Sequence, residues 1–266
     1  MTPGKDGQPS NSPYTIALCQ QKGGVGKTTA AACLGAELAR LGRDVLLLDL
    51  APAGNLTAAF GINLNRVQRS TADLLLGAYP PTSLIRPTML KRLNLIPAHS
   101  ALRAIPHQLQ QQKDSELVLR EALAGDGIPN YDIIILDCPP GLSLLSIQAL
   151  ACANLAILPV VCEYFSLQTL ETMHQIIQQT RENLNPELTY RLLISKLDQR
   201  AALHKRIYAQ IEDHHRSLLL QTAIGSDIKL PESQLAGLPI LAYAPRARAT
   251  QQFHDLTQEI LGIINK

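Results

Sequence analysis

Gln20-Gln21-Lys22-Gly23-Gly24-Val25-Gly26-Lys27-Thr28-Thr29 is the stretch that decides the fold. The apolar run Tyr14 to Cys19 leads into it and predicts a buried strand, and the alanine-rich run Ala30 to Leu41 leads out and predicts a helix. A glycine-rich turn between a strand and a helix leaves backbone N–H groups aimed at whatever sits over the helix N-terminus. Glycines at 23, 24 and 26 remove the side chains that would hold a phosphate at a distance. Lys27 adds a positive charge for the β- and γ-phosphates, and the Thr28 hydroxyl can ligate Mg²⁺. The stretch therefore predicts a loop for a nucleoside triphosphate.

Two carboxylates are expected beside it. Asp44 to Leu50 reads as a second buried strand carrying Asp49 at its end. Ligands of open α/β sheets gather at the carboxyl ends of strands, so Asp49 belongs near the phosphates. Tyr131 to Gly141 repeats the pattern: Ile133-Ile134-Ile135-Leu136 ends in Asp137, expected to hold Mg²⁺ through water. Pro139-Pro140-Gly141 then gives a stiff turn with one free hinge. Further strands are expected at Leu93 to Ala98, Asn154 to Val160 and Arg191 to Ser195. The stripe Leu170, Met173, Ile176, Ile177, Leu184 predicts a long helix facing a core, and Gln108 to Gln112 a solvated helix face.

The phosphate loop is not the usual one. Gln21 stands where the common pattern has glycine, and a second lysine, Lys22, lies five residues before Lys27. This form, KGGVGKTT, resembles the deviant Walker A motif of the ParA/MinD class of dimeric ATPases. Val161 to Leu167 (VCEYFSL) resembles a phrase of the chromosomal, Soj-type ParA members, and Lys196 to Arg200, Ile224 to Leu230 and Ala244 to Arg248 resemble further family segments. The likeness runs from Tyr14 to about Leu261. It implies one P-loop ATPase domain over residues 14–266, a three-layer α/β fold with a twisted, mostly parallel sheet flanked by helices. ATP and Mg²⁺ are the implied cofactors, with Lys22, Gly23, Gly24, Val25, Gly26, Lys27, Thr28 and Thr29 on the nucleotide and Thr28, Asp49 and Asp137 around the metal.

The resemblance also implies partners. Two copies would sandwich ATP, with Lys22 reaching the other subunit's nucleotide, and Lys22, Lys27, Asp49 and Asp137 would serve catalysis. The dimer would hold nonspecific double-stranded DNA through Arg200 and Lys229, and a ParB-like or cargo-adaptor protein would trigger hydrolysis. Such a protein is expected in the cytoplasm, on the nucleoid. Gly225 and Asp227 occupy the positions that contact adenine in the family, where proline and asparagine are the rule.

One departure bears on chemistry. In Asp49-Leu50-Ala51-Pro52-Ala53-Gly54-Asn55, Ala51 stands where the family has a second aspartate, and Ala53 where it has glutamine. That aspartate positions the attacking water, and alanine can neither accept a hydrogen bond nor carry charge. Losing such a group costs about 10²–10⁴ in rate. Alanine there is also what would be chosen to trap the ATP state, while Ala53 is equally consistent with divergence.

The remaining composition bounds the readings. The 266 residues are 46% hydrophobic and 17% charged, enough apolar content for one sizeable core. Net charge is +2, so charge alone announces no nucleic-acid binder, although the segment from Thr189 onward carries ten Lys and Arg against seven Asp and Glu. Five cysteines without C-x-x-C spacing are expected to be buried reduced thiols, and Cys138 has no second cysteine at a place that would suit an iron–sulfur cluster. The first 13 residues, rich in Pro, Gly, Ser and Asn, are expected to be a disordered tail. The last helix, Thr250 to Ile264, is amphipathic, but its polar face holds Asp255 and Glu259 rather than the lysines of a membrane-surface helix. Three readings compete: a DNA-associated partition or positioning ATPase, a MinD-like membrane-associated one, and a nucleotide-locked binding module without turnover.

Overall fold

A computed structural model describes residues 12–124, 128 and 131–265, so the expected N-terminal tail lies, but for its last two residues, outside the described residues. In chain order the elements are β1 (Tyr14–Leu18), α1 (Lys27–Arg40), β2 (Val45–Asp49), α2 (Asn55–Ala59), α3 (Thr71–Leu75), β3 (Arg86–Pro87), β4 (Leu93–Ile96), α4 (Ile105–Leu109) and α5 (Val118–Ala124). They continue with β5 (Ile133–Asp137), α6 (Leu144–Cys152), β6 (Leu155–Val161), α7 (Ser166–Asn183), β7 (Thr189–Ser195), α8 (Ala202–His215), α9 (Lys229–Leu235), α10 (Ile240–Tyr243) and α11 (Arg248–Ile264).

The seven strands form one sheet in the order β3-β4-β2-β5-β1-β6-β7. Every pairing is parallel except β3 against β4. Parallel strands need crossovers, and helices supply them on both faces. Period-two alternation then divides the core. Ala17, Leu46, Leu48, Ile134, Leu136 and Leu158 face the layer holding α3, α5, α6 and α7. Ile16, Leu18, Leu47, Ile135 and Ile157 face the layer holding α1 and α11. The apolar side of α11, Phe253, Leu256 and Ile260, is buried against α1, so that amphipathic stripe belongs to the core.

α1 lies close on the sheet because Gly35 has no side chain; a Cβ there would stand 2.7 Å from Leu47 Cδ2. The stripe on α7 is as expected at Leu170, Met173 and Ile177, with Ile176 and Leu184 only half-buried. The glutamine run differs: α4 stops at the buried Leu109, and residues 110–112 form an exposed turn. The order of strands places β1 between β5 and β6, where successive crossovers leave in opposite directions. Carboxyl ends at such a switch point open a crevice, and the glycine-rich loop stands there.

Candidate nucleotide site

The loop's glycines take backbone that other residues resist: Gly24 has φ +74° and Gly26, the residue capping α1, φ +93°. The loop is tied to its surroundings on three sides. Ser195 at the end of β7 donates its hydroxyl to the Val25 carbonyl (2.7 Å), Gly141 N–H donates to the Gln21 carbonyl (2.9 Å), and Gln234 donates to Thr29 Oγ1 (2.8 Å). The Pro-Pro-Gly turn therefore abuts the phosphate loop, with Pro140 3.8 Å from where a Cβ on Gly23 would sit.

Lys27, only 6% exposed, donates Nζ to the carbonyls of Gln20 (3.1 Å) and Lys22 (3.2 Å). Burial lowers its pKa, and the nearby Asp137 carboxylate works against that shift. Thr28 donates its hydroxyl to Asp137 Oδ2 (2.7 Å). Asp137 and Asp49 are both fully buried at the ends of adjacent strands, opposite each other in register. Burial, then the charge of Asp49, pushes Asp137 up to about 8, against the pull of Thr28 and Lys27. Burial also raises Asp49 to about 6, although Thr57 donates to its Oδ2 through both backbone N–H (2.8 Å) and hydroxyl (2.7 Å) and Ala51 N–H to its Oδ1 (3.1 Å).

Asp137 Oδ1 is buried and has no hydrogen-bond partner among the described residues. Such an atom costs about 1–3 kcal/mol unless something fills its lone pairs. An aquated Mg²⁺ beside Thr28 would do so, and the donor set is oxygen only, as that hard cation requires. The residues therefore fit the metal. Ala51 is buried next to Asp49 and offers only its backbone.

Gly225 and Asp227 join the phosphate loop in lining one cavity of about 400 Å³, with Gly26, Thr29, Gln234 and Phe253. The Asp227 carboxylate accepts the backbone N–H of Lys229 (3.0 Å) and of Ala249 (3.3 Å). Sequence reasoning missed Lys196, Gln234 and Phe253 on this wall. Lys196 has a signal in hindsight only as a residue at a strand end; its left-handed φ of +53° is visible only in three dimensions.

Lys22 projects from the loop and forms an ion pair with Glu163 of the same chain, on the turn between β6 and α7. Arg200 falls on the loop past the end of β7 and Lys229 opens α9, and the segments before them are joined by the Leu197–Gly225 bridge. Each is matched by a carboxylate: Arg200 by Asp198 (3.3 Å) and Lys229 by Glu232 (2.8 Å). Cys138 does touch another cysteine, Cys19, with sulfurs 2.7 Å apart beneath the loop, and no group of three or more metal-ligating His, Cys, Asp or Glu exists among the described residues.

A glycine cradle over a helix N-terminus, a buried lysine and a hydroxyl–carboxylate pair at the switch point of a parallel sheet define a P-loop nucleotide-binding protein. The comparisons narrow that class. The AAA domain family model matches residues 14–190. The Bacillus subtilis sporulation initiation inhibitor protein Soj is 35% identical over 246 residues, 92% of this chain and 97% of that protein. The Myxococcus xanthus chromosome partitioning protein ParA is 32% identical over 247 residues, 92% and 87% of the two chains. Among solved structures, cobyrinic acid a,c-diamide synthase from Mycobacterium smegmatis with bound ATP analog and magnesium superposes with a TM-score of 0.82 at 27% identity, covering 94% of both chains. The chain belongs to the ParA/Soj family of partition ATPases.

Proposed function

We propose that this chain is an ATP-driven positioning switch: ATP with Mg²⁺ closes two copies face to face, and the dimer holds nonspecific DNA to move or place a DNA or protein cargo. The observation that carries the reading is the unpartnered Asp137 Oδ1 beside Thr28 under a two-lysine loop, a site built for a metal-bound triphosphate. In it the backbone of Gly23 to Thr29 and Lys27 hold the phosphates, Thr28 ligates Mg²⁺, and Asp49 and Asp137 orient the metal's waters. Gly225 and Asp227 border the base. Lys22 reaches the partner's nucleotide once it leaves Glu163. A ParB-like or adaptor protein would stimulate turnover, and the nucleoid would be the working surface.

Turnover is slow in this reading, because Ala51 supplies no carboxylate for the attacking water. That same residue favours the second reading, a nucleotide-locked binding module. A phosphate-release assay on the chain and its Ala51→Asp variant, each with and without DNA, separates them. A rise of about 10² or more in the variant is the expected result; equal, brisk turnover in both refutes the assignment of slow hydrolysis to Ala51. Scattering with a nonhydrolysable triphosphate and Mg²⁺ that finds only monomers refutes the dimer.

A further inference from the structure

We propose that Glu163, released from Lys22 when two copies close on ATP, takes the proton of the water that attacks the γ-phosphate, in place of the carboxylate that Ala51 lacks. The inference rests on the ATP-bound pair proposed above and names the base of its slow hydrolysis.

The chemistry sets what is missing. In hydrolysis the water oxygen bonds to the γ-phosphorus, the bond from that phosphorus to the β–γ bridging oxygen breaks, and ADP leaves with the electron pair. One water proton must pass to an acceptor, and from there to solvent. Positive charge for the phosphates is already supplied by Lys27, Lys22 and the N–H groups at the start of α1. The acceptor is the part to be found.

The other carboxylates around the loop are engaged. Asp49 has both oxygens taken, Oδ2 by the N–H and hydroxyl of Thr57 and Oδ1 by the Ala51 N–H. Asp137 accepts from Thr28 and, in the proposed role, faces the metal's waters. Asp227 is held by the N–H groups of Lys229 and Ala249 at the base end of the cavity. Glu163 differs. Its side chain is 50% exposed, and among the described residues the one bond its carboxylate makes is to Lys22.

Its place is also suitable. β6 is the parallel neighbour of β1, so Glu163, two residues past the end of β6, stands beside the loop that follows β1. Gln20, at the loop's entry, donates its side chain to the Pro159 carbonyl (3.3 Å) and ties loop to strand. The backbone under Glu163 is fixed: its N–H donates to the Val161 carbonyl (2.8 Å), and its carbonyl accepts from the Ser166 N–H (3.0 Å). A free head on a rigid mount is what a proton acceptor requires. Exposed ion pairs open at little cost. Once Lys22 moves onto a phosphate, the carboxylate is left unpaired at the same face, and closure that takes a carboxylate out of water strengthens it as a base. Base and restraint therefore travel together, and hydrolysis is tied to pairing.

The test follows ADP formation and the lifetime of the ATP-bound dimer for wild type, Glu163→Gln, Ala51→Asp and the double variant. Melting temperature and assembly on a nonhydrolysable analogue check folding and pairing. Glu163→Gln leaves an amide that accepts a proton far less readily. Its saturated rate should fall by about tenfold or more, and its dimer formed on ATP should outlast that of wild type by the same factor, with assembly on the analogue at least as strong. In the Ala51→Asp background the same change should cost less than about threefold, because the introduced carboxylate takes the proton. Unchanged turnover in Glu163→Gln overturns the assignment. An equal loss in both backgrounds, or a loss matched by weaker assembly on the analogue, overturns it by making Glu163 a structural contact. Wild type that forms no ADP over a day overturns it by leaving no base to assign. A chain that binds no triphosphate analogue, or stays single with one bound, sinks instead the reading on which the inference rests.

Discussion

Under the proposed metal role, Asp137 would be a defect in the empty protein and an asset in the loaded one. Its folded pKa is raised, so the ionised form is disfavoured by folding. The sign follows: whatever stability the neutral carboxyl allows is complete below the unfolded value of 3.8 and lost as pH rises towards about 8. Asp137→Asn removes the charge while keeping an acceptor for Thr28. At pH 8 the nucleotide-free variant should melt above wild type. The stabilisation that a triphosphate analogue adds in wild type only with Mg²⁺ should be absent. Thermal melts with and without Mg²⁺ read both effects, and an unchanged Mg²⁺ dependence would remove Asp137 from the metal site.

At the scale of elements, α1 is the piece on which the site and the core both depend. Its N-terminus carries the phosphate loop, its glycine face seats it on the sheet, and its far end meets α11 through Glu37. Gly35→Ala would drive a methyl into Leu47, and overpacking of this kind costs about 1–3 kcal/mol. Urea unfolding should show that loss together with weaker nucleotide binding, since moving α1 moves the loop. Glu37, almost fully buried, accepts from Arg40 Nε (2.9 Å) and lies 2.6 Å from His254 Nδ1 on α11. Burial raises its pKa, but the bonds from Arg40 and then His254 outweigh that and leave it lowered. Its contribution is therefore present above the unfolded value of 4.5 and disappears as pH falls through the lower folded one. Glu37→Gln should cost about 1.5–3 kcal/mol at pH 7, and the gap to wild type should close in acid.

What the sequence made legible at this scale was whatever is local: strand, glycine turn and helix in one run, and Ile133 to Asp137 ending in a carboxylate. β3, two residues long and antiparallel, lacks any run to detect, and α8 to α10 are short or weakly apolar on a polar background. The meetings of Cys19 with Cys138 and of Lys22 with Glu163 join residues more than a hundred positions apart. No periodicity encodes them; the sheet order does.

For the whole molecule, the ion pair between Lys22 and Glu163 is the contact that the proposed dimer would have to break. Lys22 is half-exposed on the loop's outer side, and its own chain's Glu163 neutralises it there. In the proposed dimer Lys22 serves the second subunit and would first have to give up that carboxylate, so the pair would hold the single copy in a resting state. Tyr164 and Phe165, directly after Glu163, are 78% and 63% exposed and pack edge to face with centroids 5.0 Å apart. Rings so exposed beside that lysine place apolar surface where a partner would cover it. Glu163→Gln keeps the shape and removes the charge. Exposed pairs of this type are worth about 0–1 kcal/mol and a dimer would break two of them, so the ATP-dependent dimer should tighten by up to about thirtyfold. Lys22→Ala should weaken it regardless of residue 163, and Tyr164→Ala with Phe165→Ala should weaken it without touching nucleotide affinity of the monomer. Sedimentation equilibrium with a nonhydrolysable analogue measures all three. A Glu163→Gln dimer weaker than wild type would show instead that the carboxylate serves the closed pair, and that Lys22 is positioned by Glu163 rather than restrained by it.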